Sequence, residues 1–387
     1  MSVATGPRPT RSSGFIPPPY PHDRLGVARS LAAAHSGGAV DLSIGTPCDA
    51  PPTAVVEALA TSNAERGYPT SLGSDRMRTS AAGWVERSFG AAVDPATQIA
   101  ACIGTKEFVA TTPQWLRLRR PDRDTVLFPA VSYPTYEMGA LLSGCRAVSV
   151  PVDAEWRIRL ETIDPDDAAR ALCLWVNTPG NPAGGLDDLG AAAAWGRSHD
   201  VTVLSDECYS SFTWNDAPRS ILQHGTDGVL AVHSLSKRSN MAGVRAGFYA
   251  GDETLVKFLS DVRKHAGFMV PGPVQLAAAV AYDDEDHVVV QRDRYLRRLQ
   301  FFANVLRSCG FSVSLPEGAF YLWFDVGGDA WAATEWLARH GGVVVSPGVF
   351  YGASGASYVR VALVEPDDRL AMVAERLASS GVQWRAL

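Results

Sequence analysis

The segment Gly228-Val-Leu-Ala-Val-His-Ser-Leu-Ser-Lys-Arg-Ser-Asn-Met-Ala-Gly-Val-Arg-Ala-Gly247 begins as an apolar run and ends as a polar loop. Residues 229–233 predict a strand that is buried on both faces of a sheet. Ser234, Ser236 and Lys237 follow this strand, and Arg245 comes eight residues after the lysine, among glycines. Serine hydroxyls and a forked guanidinium bind a phosphate dianion well. The segment thus predicts a phosphate site in which Lys237 faces the rest of the phosphate-bearing ligand. The alternative is that Lys237 is a solvated loop lysine.

The regions around this segment alternate between short β-branched runs and helical patterns. The alternation continues for about 200 residues, which predicts an α/β fold with a doubly wound, mostly parallel sheet. Several of the runs are almost wholly apolar, as in strands covered by helices on both faces. The further strand candidates are residues 98–103, 125–128, 147–150, 172–176, 201–205 and 244–250.

The pattern changes after about residue 285, where a long charged helix over 291–309 leads into a smaller set of elements. Strands are expected at 311–315, 320–326, 343–346 and 357–363, with helices at 331–340 and 367–379. We therefore expect a large domain over 41–285 and a smaller α+β domain over 286–387. Residues 1–40 form a Pro-rich extended arm and a first helix, which belong to the smaller domain.

Composition excludes several classes of protein. The chain has 387 residues, of which 46% are hydrophobic and 20% charged, so it is neither disordered nor fibrous. Its formal charge of −6 gives no electrostatic reason to expect nucleic acid or an anionic membrane as a partner. The six cysteines form no Cys-x-x-Cys pair, which indicates free thiols rather than disulfides or a metal site. With no apolar leader and no apolar run of membrane-spanning length, we expect a cytoplasmic protein.

A second candidate anion site lies in Ile103-Gly-Thr-Lys-Glu107, which follows a predicted strand and opens a helix. The free N–H groups at a helix start attract anions. Gly104, Thr105 and Lys106 are therefore candidates to hold the same phosphate as Arg245. Plain helix capping is the alternative.

Polar side chains also end two other strands. Asp206 follows the apolar residues 201–204, and Tyr209 comes three residues later. Asn181 lies in the rigid turn Asn177-Thr-Pro-Gly-Asn-Pro-Ala-Gly184. Each motif also has a local explanation, since Asp206 can cap the next helix and Gly/Pro turns are common.

Two further positions are unusual for their surroundings. Arg360 interrupts the apolar strand Tyr358-Val-Arg-Val-Ala-Leu363, where a charge is costly unless it is paired. Gly45, in Leu42-Ser-Ile-Gly-Thr-Pro47, allows a close approach of the backbone.

These motifs, in this order over residues 41–363, resemble those of the class I/II aminotransferases, pyridoxal-phosphate enzymes of fold type I. The resemblance implies pyridoxal 5'-phosphate as cofactor, with Lys237 as the Schiff-base lysine and Asp206 keeping the ring nitrogen protonated. Tyr209 and Asn181 would then contact the ring phenolate. The implied phosphate ligands are Gly104, Thr105, Lys106, Ser234, Ser236 and Arg245.

The resemblance also implies roles for residues outside the phosphate site. Tyr133 would stack on the cofactor ring, while Tyr68 would reach the phosphate of a neighbouring subunit, which implies a homodimer with shared active sites. Arg360 would bind the substrate α-carboxylate, assisted by Asn181 and by backbone near Gly45. No metal is implied.

Within the family, the sequence is most similar to the actinobacterial type of N-succinyldiaminopimelate aminotransferase. The supporting segments are residues 41–47, 67–70, 133–136, 233–240, 263–267 and 346–352, whereas 241–244 and 316–320 differ, as does Ala183, where the family usually has threonine. This similarity implies ping-pong transfer of an amino group from N-succinyl-LL-2,6-diaminopimelate to 2-oxoglutarate, in lysine biosynthesis. Such a donor carries extra carboxylates, for which the candidate cations are Lys106, Arg238, Arg263, Lys264 and His265.

Other functions share parts of these motifs. An aminotransferase of another pathway, a C–S lyase or a decarboxylase on the same scaffold would use the same lysine and aspartate. A cofactor-sensing module of a transcription regulator normally has an attached basic helix-turn-helix domain, for which the opening arm is too short. A nicotinamide dehydrogenase is disfavoured because no Gly-x-Gly-x-x-Gly opens a helix after the first strand.

Overall fold

A computed structural model describes residues 15–385, so residues 1–14, most of the expected arm, lie outside the described part. Within residues 15–385 the chain forms twelve strands and thirteen α-helices. The strands are β1 Val40–Asp41, β2 Ile99–Cys102, β3 Thr125–Pro129, β4 Arg146–Val150, β5 Ala171–Asn177, β6 Thr202–Asp206, β7 Val229–Ser234, β8 Gly247–Gly251, β9 Tyr321–Asp325, β10 Val343–Val344, β11 Ser346–Pro347 and β12 Tyr358–Ala362.

The helices mostly connect or cover these strands. They are α1 Gly26–Ala33, α2 Thr53–Thr61, α3 Asp75–Phe89, α4 Thr105–Arg119, α5 Thr135–Leu142, α6 Pro165–Arg170, α7 Leu189–Ser198, α8 Leu235–Arg238, α9 Glu253–His265, α10 Gly272–Asp283, α11 Asp286–Ser308, α12 Ala330–Gly341 and α13 Asp367–Ser380. Several begin at a side-chain cap; for example, the Asp252 carboxylate accepts hydrogen bonds from the first N–H groups of α9.

The large sheet has seven strands in the order β2-β8-β7-β6-β5-β3-β4, and β8 alone runs antiparallel to its neighbours. This confirms the expected α/β fold with a mostly parallel sheet. Its central strands are buried on both faces: along β5, Cys173 and Trp175 join one apolar cluster, while Leu174 and Val176 join the other. The continuous apolar runs of the sequence thus reflect two-sided burial.

The parallel strands end at one edge of the sheet. Asn177 ends β5, Asp206 ends β6 and Ser234 ends β7, while Gly104 follows β2 closely. In parallel register, Asn177 and Asp206 are paired residues of neighbouring strands. Ligands bind at this edge in open α/β sheets.

The C-terminal part forms a smaller unit around the sheet β11-β12-β9, whose strands are antiparallel. The N-terminal strand β1 pairs in parallel with β10, and α1 packs against α12. Segments from both ends of the described chain therefore share one apolar core. The domain boundaries at residues 40 and 285 stay predictions.

Three expected strands differ from the structure. Residues 311–315 alternate between buried and exposed positions but form no strand, because β9, the edge strand of its sheet, pairs only with β12. The expected strand 343–346 divides into β10 and β11, which join different sheets. The expected strand 244–250 starts at Gly247, because a tight turn over Ala242–Val244 and the left-handed Arg245 come first.

All six cysteines are unpaired, as expected from their spacing. Over residues 15–385, none of the helices is both long enough and apolar enough to cross a lipid bilayer.

The start of α4 is fixed to α9 by a buried ion pair. The Arg263 guanidinium, of which 1% is exposed, donates to both carboxylate oxygens of Glu107, at 3.1 Å for the Nη1–Oε2 pair. The Glu107 carboxylate also accepts a hydrogen bond from the Ile103 N–H at 3.0 Å, which holds the turn before α4. The pair therefore stabilises the backbone around Gly104 and Thr105.

We predict that Arg263→Ala lowers the free energy of unfolding by about 3 kcal/mol, because it leaves the Glu107 charge buried without its partner. The matched control is Lys257→Ala, which removes the exposed Lys257–Asp261 pair of the same helix and should cost less than about 0.5 kcal/mol. Urea unfolding followed by circular dichroism measures both. Equal losses of stability in the two variants would contradict the assignment of Arg263–Glu107 as a stabilising buried ion pair.

Candidate active site

A cavity of about 580 Å³ opens at the carboxyl edge of the large sheet, between it and the smaller unit. Twelve of the predicted site residues line the cavity: Gly45, Thr105, Lys106, Tyr133, Asn181, Asp206, Tyr209, Ser234, Ser236, Lys237, Arg245 and Arg360. Gly104 lies directly against the Arg245 side chain. Tyr68 is the exception, since its side chain is 100% exposed and does not line this cavity.

Lys237 lies in the single-turn helix α8, immediately after β7. Ser234 starts this turn by accepting a hydrogen bond from the Ser236 N–H at 3.0 Å. The Lys237 ammonium points into the cavity and donates to the carbonyl oxygen of Gly45. Burial lowers the pKa of Lys237 to about 8, and the nearby Arg360 and Arg245 cations act in the same direction. The amine is thus neutral in a much larger fraction than that of an exposed lysine.

Gly45 is constrained from both sides. Its carbonyl oxygen accepts from Lys237, and a Cβ at this position would collide with the Tyr321 hydroxyl. The close approach expected at this glycine is present, and it brings the backbone of residues 43–46 to the cavity wall.

At one end of the cavity, Arg245 lies beside the N-terminus of α4. Arg245 has a left-handed backbone (φ 61°), and its guanidinium donates only to carbonyl oxygens, at 2.8 Å to Ala242 and 3.5 Å to Ile103. It makes no ion pair within residues 15–385. The first N–H groups of α4 have no side-chain cap, so they too are free to bind an anion.

Gly104 makes this arrangement sterically feasible. Its backbone is left-handed (φ 72°), and a Cβ would collide with the Arg245 guanidinium lying over it. The α4 N-terminus, Ser234, Ser236 and the free charge of Arg245 together form a cradle that fits the phosphate of pyridoxal phosphate.

Asp206 lies deeper in the cavity, at the end of β6. Its Oδ1 accepts from the Cys208 N–H at 3.2 Å, and its Oδ2 accepts from the Tyr136 hydroxyl at 3.0 Å. Burial raises the pKa of Asp206, while the Cys208 and Tyr136 hydrogen bonds oppose the rise. Asp206 makes no ion pair with any described residue. A buried carboxylate without a cation fits the protonated nitrogen of a pyridine ring.

Arg360 occupies the opposite wall, where 4% of the residue is exposed. Its guanidinium lies between the rings of Tyr321 and Tyr351, at 4.2 and 4.7 Å from their centroids. It donates to Asn181 Oδ1 at 2.7 Å and to the Ser43 carbonyl oxygen at 2.6 Å, whereas Nε has no partner. No carboxylate of residues 15–385 pairs with it. A buried cation of this kind suits a ligand carboxylate, and this role of Arg360 stays a prediction.

The two residues expected at the ring phenolate lie close to Arg360. Asn181 holds the arginine through its side-chain oxygen, and its own N–H donates to Asn177 Oδ1 at 2.8 Å. The Tyr209 hydroxyl lies 2.7 Å from the Tyr321 hydroxyl. Both side chains face the cavity, but their roles toward a cofactor remain proposals.

Residues in or directly beside the cavity that the sequence did not indicate come from three regions. Tyr136 contacts Asp206, and Cys208 lies beside it with Sγ 3.2 Å from Thr105 Oγ1. The smaller unit contributes Tyr321 and Tyr351 to the cavity, and the N-terminal segment contributes Tyr20 and His22. Tyr136 follows Tyr133 by three residues, and its backbone N–H donates to the Tyr133 carbonyl oxygen, so this spacing could have suggested a single turn that holds both tyrosines. The cavity residues missed are Tyr20, His22, Cys208, Tyr321 and Tyr351, whereas Tyr136, also missed, contacts Asp206 without lining the cavity.

Of the five candidate cations for a distal carboxylate, Lys106 alone lines the cavity. Its ammonium lies 3.5 Å from the Tyr20 hydroxyl and 5.0 Å from the ring centroid of that residue. Arg238 and Arg263 are buried in ion pairs with Glu285 and Glu107. The other two, Lys264 and His265, are exposed away from the cavity.

We predict that Gly104→Ala weakens the binding of pyridoxal phosphate at least tenfold, because the new Cβ displaces Arg245 and strains the left-handed backbone. The matched control is Gly243→Ala, on the same cavity wall, where an added Cβ meets nothing within 4 Å. Titration of the apoprotein, followed by absorbance, gives both dissociation constants. Unchanged affinity in the Gly104 variant would exclude this cradle as the phosphate site.

Comparison with known proteins identifies the family of the chain. Residues 38–377 match the family described as aminotransferase class I and II. A 4-dedimethylamino-4-oxo-anhydrotetracycline transaminase of Streptomyces rimosus is 40% identical over 93% of this chain and 99% of its own length. An LL-diaminopimelate aminotransferase of Aquifex aeolicus is 32% identical over 93% of this chain and 96% of its own.

A solved structure extends the comparison to the fold. The probable N-succinyldiaminopimelate aminotransferase of Thermus thermophilus superposes with a TM-score of 0.83, at 28% identity, over 93% of this chain and 99% of that one. The expected family, fold type and cofactor are thereby confirmed. The chain belongs to the class I and II aminotransferases, which depend on pyridoxal 5'-phosphate.

Proposed function

We propose that the protein transfers the α-amino group of N-succinyl-LL-2,6-diaminopimelate to 2-oxoglutarate by a ping-pong mechanism. The observation that carries the proposal is Arg360, a buried cation that has no carboxylate partner in the described part of the chain and that lines the same cavity as Lys237. An α-amino acid and its 2-oxo acid product share the carboxylate that would pair with this arginine. Both half-reactions can therefore use one binding site.

The residues of the chain have distinct roles in this proposal. When bound, the cofactor supplies an electron sink for the negative charge that develops at the substrate Cα. Lys237 moves the proton at Cα, for which a pKa of about 8 is well suited. Arg360 orients the substrate through its α-carboxylate, and Asp206 pairs with the ring nitrogen.

The choice of donor rests on a cation and on two relatives. Lys106 lies at the cavity mouth, where it can pair with a distal carboxylate of a long donor. The Thermus structure is described as a probable N-succinyldiaminopimelate aminotransferase, and the Aquifex relative acts on LL-diaminopimelate. These names support a diaminopimelate-type donor in lysine biosynthesis.

A second candidate function is amination of a polycyclic ketone. The Streptomyces relative is a transaminase of an oxo-anhydrotetracycline, and the cavity here has several aromatic walls. In that case an amino acid would still provide the amino group at Arg360, and the ketone would lie against tyrosine rings. The tyrosines concerned are Tyr20, Tyr133, Tyr321 and Tyr351.

The proposal includes a cytoplasmic homodimer. Tyr68, wholly exposed on a single chain, would contact the phosphate in the cavity of the second copy. A tyrosine with no covered surface on its own chain suits such a role, because association would bury its ring.

Adding N-succinyl-LL-2,6-diaminopimelate without an acceptor should convert the absorbance band of the lysine-bound cofactor into that of the amino form. Adding 2-oxoglutarate should then restore the first band, because the reaction is ping-pong. A band that responds to glutamate but not to the succinylated donor would overturn the substrate, and oxo-anhydrotetracycline would then be tested as acceptor from the amino form. Release of ammonia and pyruvate from cystathionine would instead indicate a lyase.

Lys106→Gln is the matched variant for this experiment. It should raise the donor concentration at half-maximal conversion about tenfold, since one exposed charge-assisted contact is lost. The same variant should leave the conversion by alanine unchanged, because alanine has no distal carboxylate. Equal effects on both donors would exclude Lys106 as the distal cation.

The lowered pKa of Lys237 predicts how cofactor capture depends on pH. Only the neutral amine reacts with the aldehyde, so the rate of capture by the apoprotein should rise up to about pH 8 and then level off. An unperturbed lysine would keep gaining rate until pH 10. Stopped-flow absorbance measures the rate, and the control variant Lys237→Ala should show no capture. A rate that continues to rise above pH 9 would contradict a lowered pKa of Lys237.

A further inference from the structure

We propose that Tyr136 is a positioning residue that keeps the Asp206 carboxylate ionised. The proton that Asp206 shares with the cofactor ring nitrogen then stays on the nitrogen. The inference rests on the proposed pairing of Asp206 with that nitrogen. It assigns a function to a residue that is not required to touch cofactor or substrate.

The first observation is the hydrogen bond itself. The Tyr136 hydroxyl donates to Asp206 Oδ2 at 3.0 Å, and both groups are buried. The other oxygen, Oδ1, accepts from the Cys208 N–H at 3.2 Å. Burial raises the pKa of the Tyr136 phenol well above its usual value, so the phenol remains a neutral donor. Its single proton is committed to Asp206.

The Tyr136 ring is held firmly in this position. It stacks on Trp175 of β5, with centroids 5.2 Å apart and planes 20° apart. On another side the Tyr136 ring meets the Tyr133 ring nearly edge-on, with centroids 5.8 Å apart. The backbone N–H of Tyr136 also donates to the Tyr133 carbonyl oxygen at 3.1 Å. One short turn thus presents Tyr133 to the cavity and directs the Tyr136 hydroxyl at Asp206.

The electrostatic surroundings explain why Asp206 needs this donor. No described lysine, arginine or histidine forms an ion pair with Asp206, and burial penalises its charged form. A pyridinium nitrogen retains its proton only while the facing carboxylate is the weaker base. Each hydrogen bond to the carboxylate lowers its basicity, so the phenol moves the shared proton toward the ring.

Removal of the hydroxyl should therefore move the proton toward Asp206 without changing the fold. We expect Tyr136→Phe, loaded with cofactor labelled with nitrogen-15 in the ring, to give a ring resonance shifted toward the unprotonated position. The signal is read before any donor is added, so it does not depend on which donor is correct. The half-reaction rate should fall about tenfold to a hundredfold, the effect of losing one hydrogen bond to a charged group, with donor affinity nearly unchanged.

Tyr249→Phe is the matched control. Tyr249 is also fully buried and stacked on an aromatic ring, but its hydroxyl bonds to Ser260 at 3.0 Å, away from Asp206. This variant should keep the wild-type ring resonance and rate. A Tyr136→Phe protein with the wild-type resonance would overturn the proposal, whatever its rate.

A second variant keeps the test decisive if Tyr136→Phe fails to fold. Fluorotyrosine at position 136 preserves the stacking on Trp175 and makes the phenol a stronger donor. The ring nitrogen should then be at least as protonated as in the wild type, and the half-reaction should not slow. A shift toward the unprotonated position would contradict the proposed role.

Discussion

The parallel pairing of β6 with β5 and β7 is the constraint on which the site depends. It places Asn177 and Asp206 in register and ends β7 at Ser234, so three polar groups leave the sheet at one edge. Because side chains alternate along a strand, the same pairing that buries Trp175 and Leu204 on one face directs the terminal polar residues to that face. Helices on both sides then leave this edge as the accessible one.

Charge imbalance gives the cavity its chemistry. Among residues 15–385, four cationic side chains line it, namely Lys106, Lys237, Arg245 and Arg360, against a single carboxylate, Asp206. Arg245 and Arg360 bond to carbonyl or amide oxygens, which hold them in place without neutralising them. A ligand with a phosphate, a ring cation and a carboxylate would find an opposite charge in Arg245, Asp206 and Arg360, respectively. The proposed ligand would therefore be matched by several parts of the cavity rather than by one residue.

Local sequence predicted most of the fold and most of the cavity lining, because strand-end motifs need little tertiary information. Asp206, Asn181 and Lys237 each follow an apolar strand, and parallel strands bring such ends together. Arg245 instead precedes the antiparallel β8, which starts at the same edge because Gly247 pairs with Ser234. The contact of Tyr136 with Asp206 was not predictable, since it depends on how α5 packs against β3 and β4 of the large sheet. Residues 311–315 have the alternation of a strand but lack a neighbour, and alternation alone does not supply one.

The Ser43 carbonyl oxygen joins distant parts of the chain. It accepts from Ser346 at 2.8 Å and from Arg360 at 2.6 Å, across sequence separations of 303 and 317 residues. Contacts of such separation form late, because the entropy of closing a long loop is lost before they contribute. During synthesis, the large sheet can assemble while Arg360 is still inside the ribosome. The nascent protein would thus form the proposed phosphate cradle well before Arg360 joins the cavity.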